Sequence, residues 1–346
     1  MRAIALRDGE IVVREDVPEP VPEAGQVLVQ VKACGICGSD LHFAKHGATM
    51  LALGEEMGGA GSLGAPSNVD LSRDVFMGHE FTGEILEAGP GTDAPAAGTL
   101  VTSLPVLLTS TGVKPIVYSN DVASGYGERM LLSAPLLVEV PNGLDPHHAA
   151  LTEPMAVGLH AVNRSRIKPG KGALVLGCGP VGLAVIAALR LQGIDTIVAS
   201  DYSPARRQLA STMGAHEAVD PAQEPAFDAW RRIGGMKSLV VFEAVGVPGI
   251  IGSTMRDAPH GSRVVVVGVC MEQDTITPFF GISKELNIQF VLGYDPREFA
   301  ASLRSIAEGA IDVAPMITGT VDLDGVPAAF GELANPERHC KILVTP

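Results

Sequence analysis

The stretch from Ala173 to Asp201 leaves this chain few choices of fold. Ala173-Leu174-Val175-Leu176 is a short uninterrupted apolar run, as a strand buried on both faces requires. It leads into Gly177-Cys178-Gly179-Pro180-Val181-Gly182, which fits G-x-G-x-x-G, and Pro180 to Leu191 then reads as an apolar helix. A second strand, Thr196 to Ser200, ends at Asp201. The glycine pattern alone is weak evidence; between a strand and a helix it has the context of a phosphate-binding turn. Gly177 allows the tight turn, Gly179 lets the backbone approach a pyrophosphate, and Gly182 lets the helix pack close to the sheet. The helix start at Pro180 and Val181 offers free N–H groups and a partial positive charge to phosphates. A carboxylate at Asp201 accepts hydrogen bonds from ribose hydroxyls and repels a 2′-phosphate, which favours NAD over NADP. Arg206 follows close enough to contact the ribose or the adenine edge.

The same alternation continues. Glu217-Ala218-Val219, Leu239 to Phe242, Val264 to Val267 and Ile288 to Leu292 read as further strands with helical stretches between them. Six such strands in two halves predict a doubly wound, parallel Rossmann-type sheet over residues 146–295. Residues 1–145 have another texture, mostly β and loop, with strand patterns at Ala3–Leu6, Ile11–Val13, Val27–Val31, Phe81–Ala88 and Leu100–Val101. Residues 296–346 carry a helix over Phe299–Glu308 and a last β run, Cys340–Val344, expected to return to the first domain and complete it. The predicted class is therefore α/β with a separate β-rich catalytic domain. The uncharged run Gly172 to Leu189 reaches the length of a membrane span, but Gly177, Gly179, Pro180 and Gly182 break it into strand, turn and helix.

A net charge of −14 argues against nucleic acid and anionic membranes as partners. The five cysteines, at 34, 37, 178, 270 and 340, are odd in number and irregularly spaced, unlike a disulfide framework. No secretory signal pattern opens the chain. These features point to the cytoplasm.

Chemistry concentrates in three places. Cys34-Gly35-Ile36-Cys37-Gly38-Ser39-Asp40-Leu41-His42 packs two thiols, a hydroxyl, a carboxylate and an imidazole into nine residues; Gly78-His79-Glu80 and Glu153-Pro154 add to them. A catalytic zinc takes N, S or O ligands and keeps one place open. Cys37, His79 and one or both of Glu80 and Glu153 supply such a set. The C-x-x-C pair also admits a structural zinc or a redox pair, but no second Cys or His pair stands at matching spacing, and the segment is not part of a βαβ unit.

These motifs, in this order, resemble the zinc-dependent medium-chain alcohol dehydrogenases, and within them the polyol, butanediol and threonine dehydrogenase branch. The resemblance rests on C-G-I-C-G-S-D-L-H at 34–42, G-H-E at 78–80, E-P-M-A-V-G-L-H-A at 153–161 and G-C-G-P-V-G at 177–182. It implies a GroES-like catalytic domain, one catalytic zinc and a homodimer or homotetramer. It implies that Cys37 and His79 bind the metal, with Cys34 a buried small residue. Glu80 then binds the metal or stands just behind it, and Glu153 takes a ligand position. Asp40 orients the histidine, Ser39 receives the substrate's proton, His42 relays it, and Lys341 lies near the cofactor phosphates. The implied reaction is hydride transfer between an alcohol and NAD, the alcohol being secondary, diol- or polyol-like, or bulkier and apolar. Phe43, Phe279 and Phe280 are candidates for the pocket wall or for ordinary core. The rival readings are a zinc-free enoyl or quinone reductase and a catalytically silent nucleotide-binding protein.

Two departures stand out. Residues 90–125 contain no cysteine, so the second, structural zinc of many relatives has no ligands here. Cys37 and His79 are also unusually far apart, and the intervening residues 43–77 predict a short helix followed by a flexible lid beside the substrate cleft.

Overall fold

The computed structural model describes residues 1–57 and 69–346. The chain opens with β1 (Ala3–Arg7), β2 (Glu10–Arg14) and β3 (Gln26–Gly35), followed by helix α1 (Gly38–Glu56) and the short β4 (Val75–Phe76). Then come β5 (Glu80–Ala88), β6 (Leu100–Ser103), the hairpin β7 (Val106–Thr109) and β8 (Gly112–Pro115), β9 (Arg129–Ser133) and β10 (Leu137–Glu139). The long β3 is the axis of this part. It pairs antiparallel with both β5 and β9, and its inward residues Val27, Val29, Val31 and Cys34 are fully or almost fully buried.

Helix α1 differs from the short helix expected. It runs 19 residues, with non-helical angles at His46 (φ −127°, ψ 20°) marking a kink. Its pattern is hard to read because its inward face carries two glycines, Gly47 and Gly54, beside Phe43 and Asp40. Glycine weakens a helix by about 1 kcal/mol relative to alanine, so tertiary packing holds this one. The Phe43 ring stacks on Tyr118 at 3.9 Å between centroids. The expected lid falls largely on residues 58–68, which lie outside the described residues.

From residue 146 the architecture changes. Helices α2 (Pro146–Ala150) and α3 (Thr152–Ser165) lead into β11 (Gly172–Leu176), α4 (Pro180–Leu191), β12 (Ile197–Ser200), α5 (Pro204–Met213), β13 (Glu217–Val219) and α6 (Ala226–Gly234). The second half follows with β14 (Leu239–Glu243), α7 (Ile250–Asp257), β15 (Arg263–Val266), α8 (Pro278–Ser283) and β16 (Asn287–Phe290). The six strands form one all-parallel sheet in the order β13-β12-β11-β14-β15-β16. The order reverses direction between β11 and β14, and at that switch point a crevice opens beyond the strands' carboxyl ends. All five residues of β11 are buried, as a strand covered by helices on both faces must be.

The chain ends with α9 (Pro296–Ala307), β17 (Ile317–Val321), α10 (Val326–Glu332) and β18 (Lys341–Val344). Strand β18 pairs antiparallel with β3 and parallel with β17, so the C-terminal strands extend the sheet built by the first 140 residues. This places the start of β18 beside the end of β3 and the start of β5.

Candidate active site

The ends of three strands converge on one point. Gly35, the last residue of β3, lies opposite Glu80 on β5 and opposite Leu343 on β18. Glycine is needed at 35, since a Cβ there would sit 2.0 Å from Glu80 Oε2. Past Gly35 the chain turns at Cys37 and enters α1, whose first turn carries Ser39 and Asp40. The Asp40 carboxylate accepts the Cys37 backbone N–H at 3.2 Å, which fixes the turn that presents the thiol.

One ligand atom from each of Cys37, His79 and Glu80 lies within 4.8 Å of the others. Their environment explains why a cation belongs there. Asp40 and Glu80 are fully buried and His79 nearly so. His79 Nδ1 faces Asp40 Oδ1 at 3.5 Å, and neither atom has a hydrogen bond of normal geometry. A carboxylate behind the ring is the arrangement that orients a metal-binding imidazole. With Nδ1 turned to Asp40, Nε2 lies 3.4 Å from Ser39 Oγ. Burial would depress the His79 pKa, but Asp40 and Cys37 outweigh it and push it well above the ordinary value. Burial, followed by Glu80, raises the Cys37 thiol. A thiol, an imidazole and a carboxylate in a dry, anion-rich cluster match the donor chemistry of zinc, which favours the thiolate and neutral-imidazole forms.

Glu153 is placed differently from the other three. It stands half-buried in the first turn of α3 and is not within the tight donor cluster. Its carboxyl is pushed up to about 7, chiefly by burial and further by Glu80, against the opposing charges of His79 and Lys341. The hydroxyl of Tyr294, buried and without a hydrogen bond, faces it.

Lys341 requires a correction. The resemblance placed it near the cofactor phosphates, but its side chain is 1% exposed, and Nζ lies 2.7 Å from both Glu80 oxygens and donates to Ile36 O at 2.9 Å. The cause lies in the pairing: Leu343 of β18 stands opposite Gly35 of β3, and Gly35 opposite Glu80 of β5, so the start of β18 comes alongside the Glu80 carboxylate. Burial lowers the lysine pKa, but Glu80 and Cys37 more than offset this and the net shift is upward. Glu80 thus carries a buried counter-ion in addition to facing the cluster.

Of the expected proton path, Ser39 lies against His79 Nε2, while His42 is half-buried one turn further along α1 and makes no hydrogen bond to Ser39. Burial, then His46 and Lys45, lowers the His42 pKa. Phe43 is core, Phe280 half-buried, and Phe279 exposed on α8.

At the sheet's switch point the glycine turn follows the sequence reading. Gly177 has φ +89°. A Cβ on Gly182 would lie 2.0 Å from Gly177 O, whereas one on Gly179 would meet nothing within 4 Å. So Gly182 serves close packing and Gly179 leaves open space above the turn, as an incoming pyrophosphate needs. Pro180 and Val181 begin α4 behind it. The Asp201 carboxylate receives the Cys178 N–H at 2.7 Å and the Ser203 N–H at 2.9 Å, fastening the turn to the end of β12. Arg206 stands in the first turn of α5 with its Nε buried and unpartnered. These residues fit a nicotinamide dinucleotide.

Sequence reasoning missed Tyr126 and Tyr294. Neither belongs to a quoted motif, and only the fold brings them to the centre.

Comparison with known proteins agrees with this geometry. A family model described as zinc-binding dehydrogenase matches residues 180–308, and the alcohol dehydrogenase GroES-like domain matches 23–142. The (R,R)-butanediol dehydrogenase of Bacillus subtilis is 32% identical, with 96% of each chain covered. A crystal structure of 2R,3R-butanediol dehydrogenase from that organism superposes with a TM-score of 0.83 over 100% of this chain and 99% of that one, at 31% identity. The L-galactonate-5-dehydrogenase of Escherichia coli is 32% identical over 86% of this chain and 85% of its own. A Sinorhizobium meliloti protein solved bound to NADP gives a TM-score of 0.80 at 30% identity, covering 100% of this chain and 99% of that one. With the metal cluster, the glycine turn and these likenesses together, the chain belongs to the zinc-type medium-chain alcohol dehydrogenase family.

Proposed function

We propose that this protein oxidises a secondary hydroxyl of a diol or polyol to the ketone with NAD, and catalyses the reverse reaction. The cluster of Cys37 with the buried His79 and Glu80 carries this reading, since a zinc-free reductase or a silent nucleotide binder would have no use for it. Cys37 and His79 hold the zinc, and Glu80 and Glu153 are the carboxylates of the same centre. When bound, zinc supplies Lewis acidity and the nicotinamide supplies two-electron redox chemistry. The chain's own part is positioning and proton handling. Ser39 Oγ, beside His79, takes the alcohol proton as it releases its own, which passes by way of water to His42, one turn further along α1. Gly177, Gly179, Pro180, Val181 and Gly182 cradle the pyrophosphate; Asp201 and Arg206 hold the adenosine ribose, with the Asp201 carboxylate selecting NAD. Diols and sugar acids are named for the relatives, which supports a substrate with neighbouring hydroxyls. Zinc-loaded protein with NAD is expected to give NADH absorbance with vicinal diols or polyols above simple primary alcohols. Silence across diols, polyols, cyclic alcohols and the matching ketones would sink the reading.

The assembly we propose is a homodimer, or a dimer of dimers. Support comes from the free edge of β16 and its apolar neighbours: Phe279, Ile282 and Phe290 are 68%, 77% and 64% exposed. A second copy continuing the sheet would cover them. Sedimentation is expected to show a dimer or tetramer that F290E drives toward monomer; a monomeric parent protein would refute it. No helix among the described residues is long and apolar enough to cross a membrane. All five cysteines are unpaired, which supports a cytoplasmic setting; recovery of the protein from an extracytoplasmic fraction would argue against it.

A further inference from the structure

Beyond the ligands, one buried phenol holds both halves of the metal cluster. Tyr126 is 1% exposed. Its hydroxyl donates to Asp40 Oδ2 at 2.6 Å and lies 3.1 Å from Gly35 O. The shorter contact, to a carboxylate, is a charge-assisted bond and takes the proton. Asp40 uses the same Oδ2 to receive the Cys37 N–H, and turns Oδ1 to His79 Nδ1 at 3.5 Å. Tyr126 also grips the other ligand segment. Its backbone N–H donates to Met77 O, and Gly125 N–H donates to Gly78 O. The ring lies so close to Gly78 that a Cβ there would be 2.8 Å from Tyr126 Cδ1. Gly78 immediately precedes His79. One residue therefore touches the strand end that presents Cys37 and the strand start that presents His79 and Glu80.

We propose that Tyr126 is a positioning residue for the zinc centre, acting through Asp40 on His79. By taking up one carboxylate oxygen, the phenol fixes the plane of Asp40 and leaves the other oxygen for the imidazole, which sets the ring's orientation and its strength as a ligand. This rests on the zinc-dehydrogenase reading above. The test compares the whole protein with Y126F, D40N and the double variant. The readouts are zinc retention against a chromogenic chelator and the visible spectrum of the cobalt(II)-substituted forms. Removing a partner behind a metal-binding histidine costs about 10–100-fold in metal affinity or activity. Y126F is expected to release zinc about tenfold more readily, to shift the cobalt bands, and to lower kcat more than KM. In the D40N background, adding Y126F is expected to change zinc retention little further. Unaltered zinc retention and cobalt bands in folded Y126F would overturn the proposal while the parent's zinc-dependent turnover leaves the functional reading standing. A parent that binds no zinc overturns both. Should Y126F not fold, 3-fluorotyrosine placed at 126 keeps the ring and strengthens the donor. Its cobalt bands are then expected to move, and bands identical to the parent's would overturn the proposal.

Discussion

Replacing Cys37 with serine is expected to leave less than about a tenth of a zinc ion per chain after gel filtration and to cut turnover roughly 10³-fold or more. The size of the effect follows from the donor set. Among the described residues, Cys37, His79 and Glu80 are the one group of three side chains placed to hold a metal, and Cys37 contributes its sulfur. A serine hydroxyl in the same place is a poor anion at neutral pH, so the cluster would lose its soft donor without gaining a hard one. The fold should tolerate the change: Cys37 is the N-cap of α1 in a capping box with Asp40, and serine is a favoured residue at that position. Metal-free wild-type and Cys37→Ser proteins should therefore unfold at closely similar denaturant concentrations, while zinc stabilises the wild type alone. NAD binding should survive, because the glycine turn is built by β11, α4 and Asp201 without any residue from the metal cluster. Full zinc occupancy in the variant would show that the metal is held elsewhere.

How much of this could be read in advance depended on the range of the interactions. The βαβ unit around Gly177 was legible because every device in it is local. Strand, turn and helix are contiguous, and the structure places α4 over Pro180–Leu191 as expected. Cys37, His79, Ser39 and Asp40 were legible from motifs, and β3 and β5 bring them together by antiparallel pairing. The length of helix α1 is not legible because the two glycines on its inward face, Gly47 and Gly54, dilute the helical period that its packing nonetheless supports. Tyr126 and Lys341 could not be placed correctly by pattern. Each meets its partner across a long sequence separation, Tyr126 to Asp40 over 86 residues and Lys341 to Glu80 over 261, and no local period reports such a contact. The resemblance implies a phosphate contact for the lysine, whereas strand pairing brings it to the Glu80 carboxylate.

That reassignment has its own consequence. Lys341→Met is expected to destabilise the metal-free protein by roughly 3–5 kcal/mol, the usual cost of removing one partner of a buried ion pair. Glu80 is fully buried, and both of its oxygens lie 2.7 Å from the Lys341 ammonium. Methionine fills the stem's volume and supplies no charge, so Glu80 must stay ionised without a counter-ion or take up a proton. Two further measurements separate this from a general packing defect. Adding Glu80→Gln should recover most of the loss, since the remaining partner is then neutral and of the same shape. Zinc should recover part of it in Lys341→Met alone, because the cation stands in for the missing ammonium. The pH dependence follows from the upward shift of Lys341. A lysine whose folded pKa lies above its unfolded value of about 10.4 contributes its full stabilisation below that pH and loses it as pH rises through the folded pKa. The stability gap between wild type and variant should therefore be flat from neutral pH to near that value and narrow above it. Phosphate contact, the role first expected for Lys341, predicts the reverse pattern: weaker NAD binding with the urea midpoint unchanged. Equal midpoints for wild type and Lys341→Met, measured without metal, would return the residue to the cofactor side.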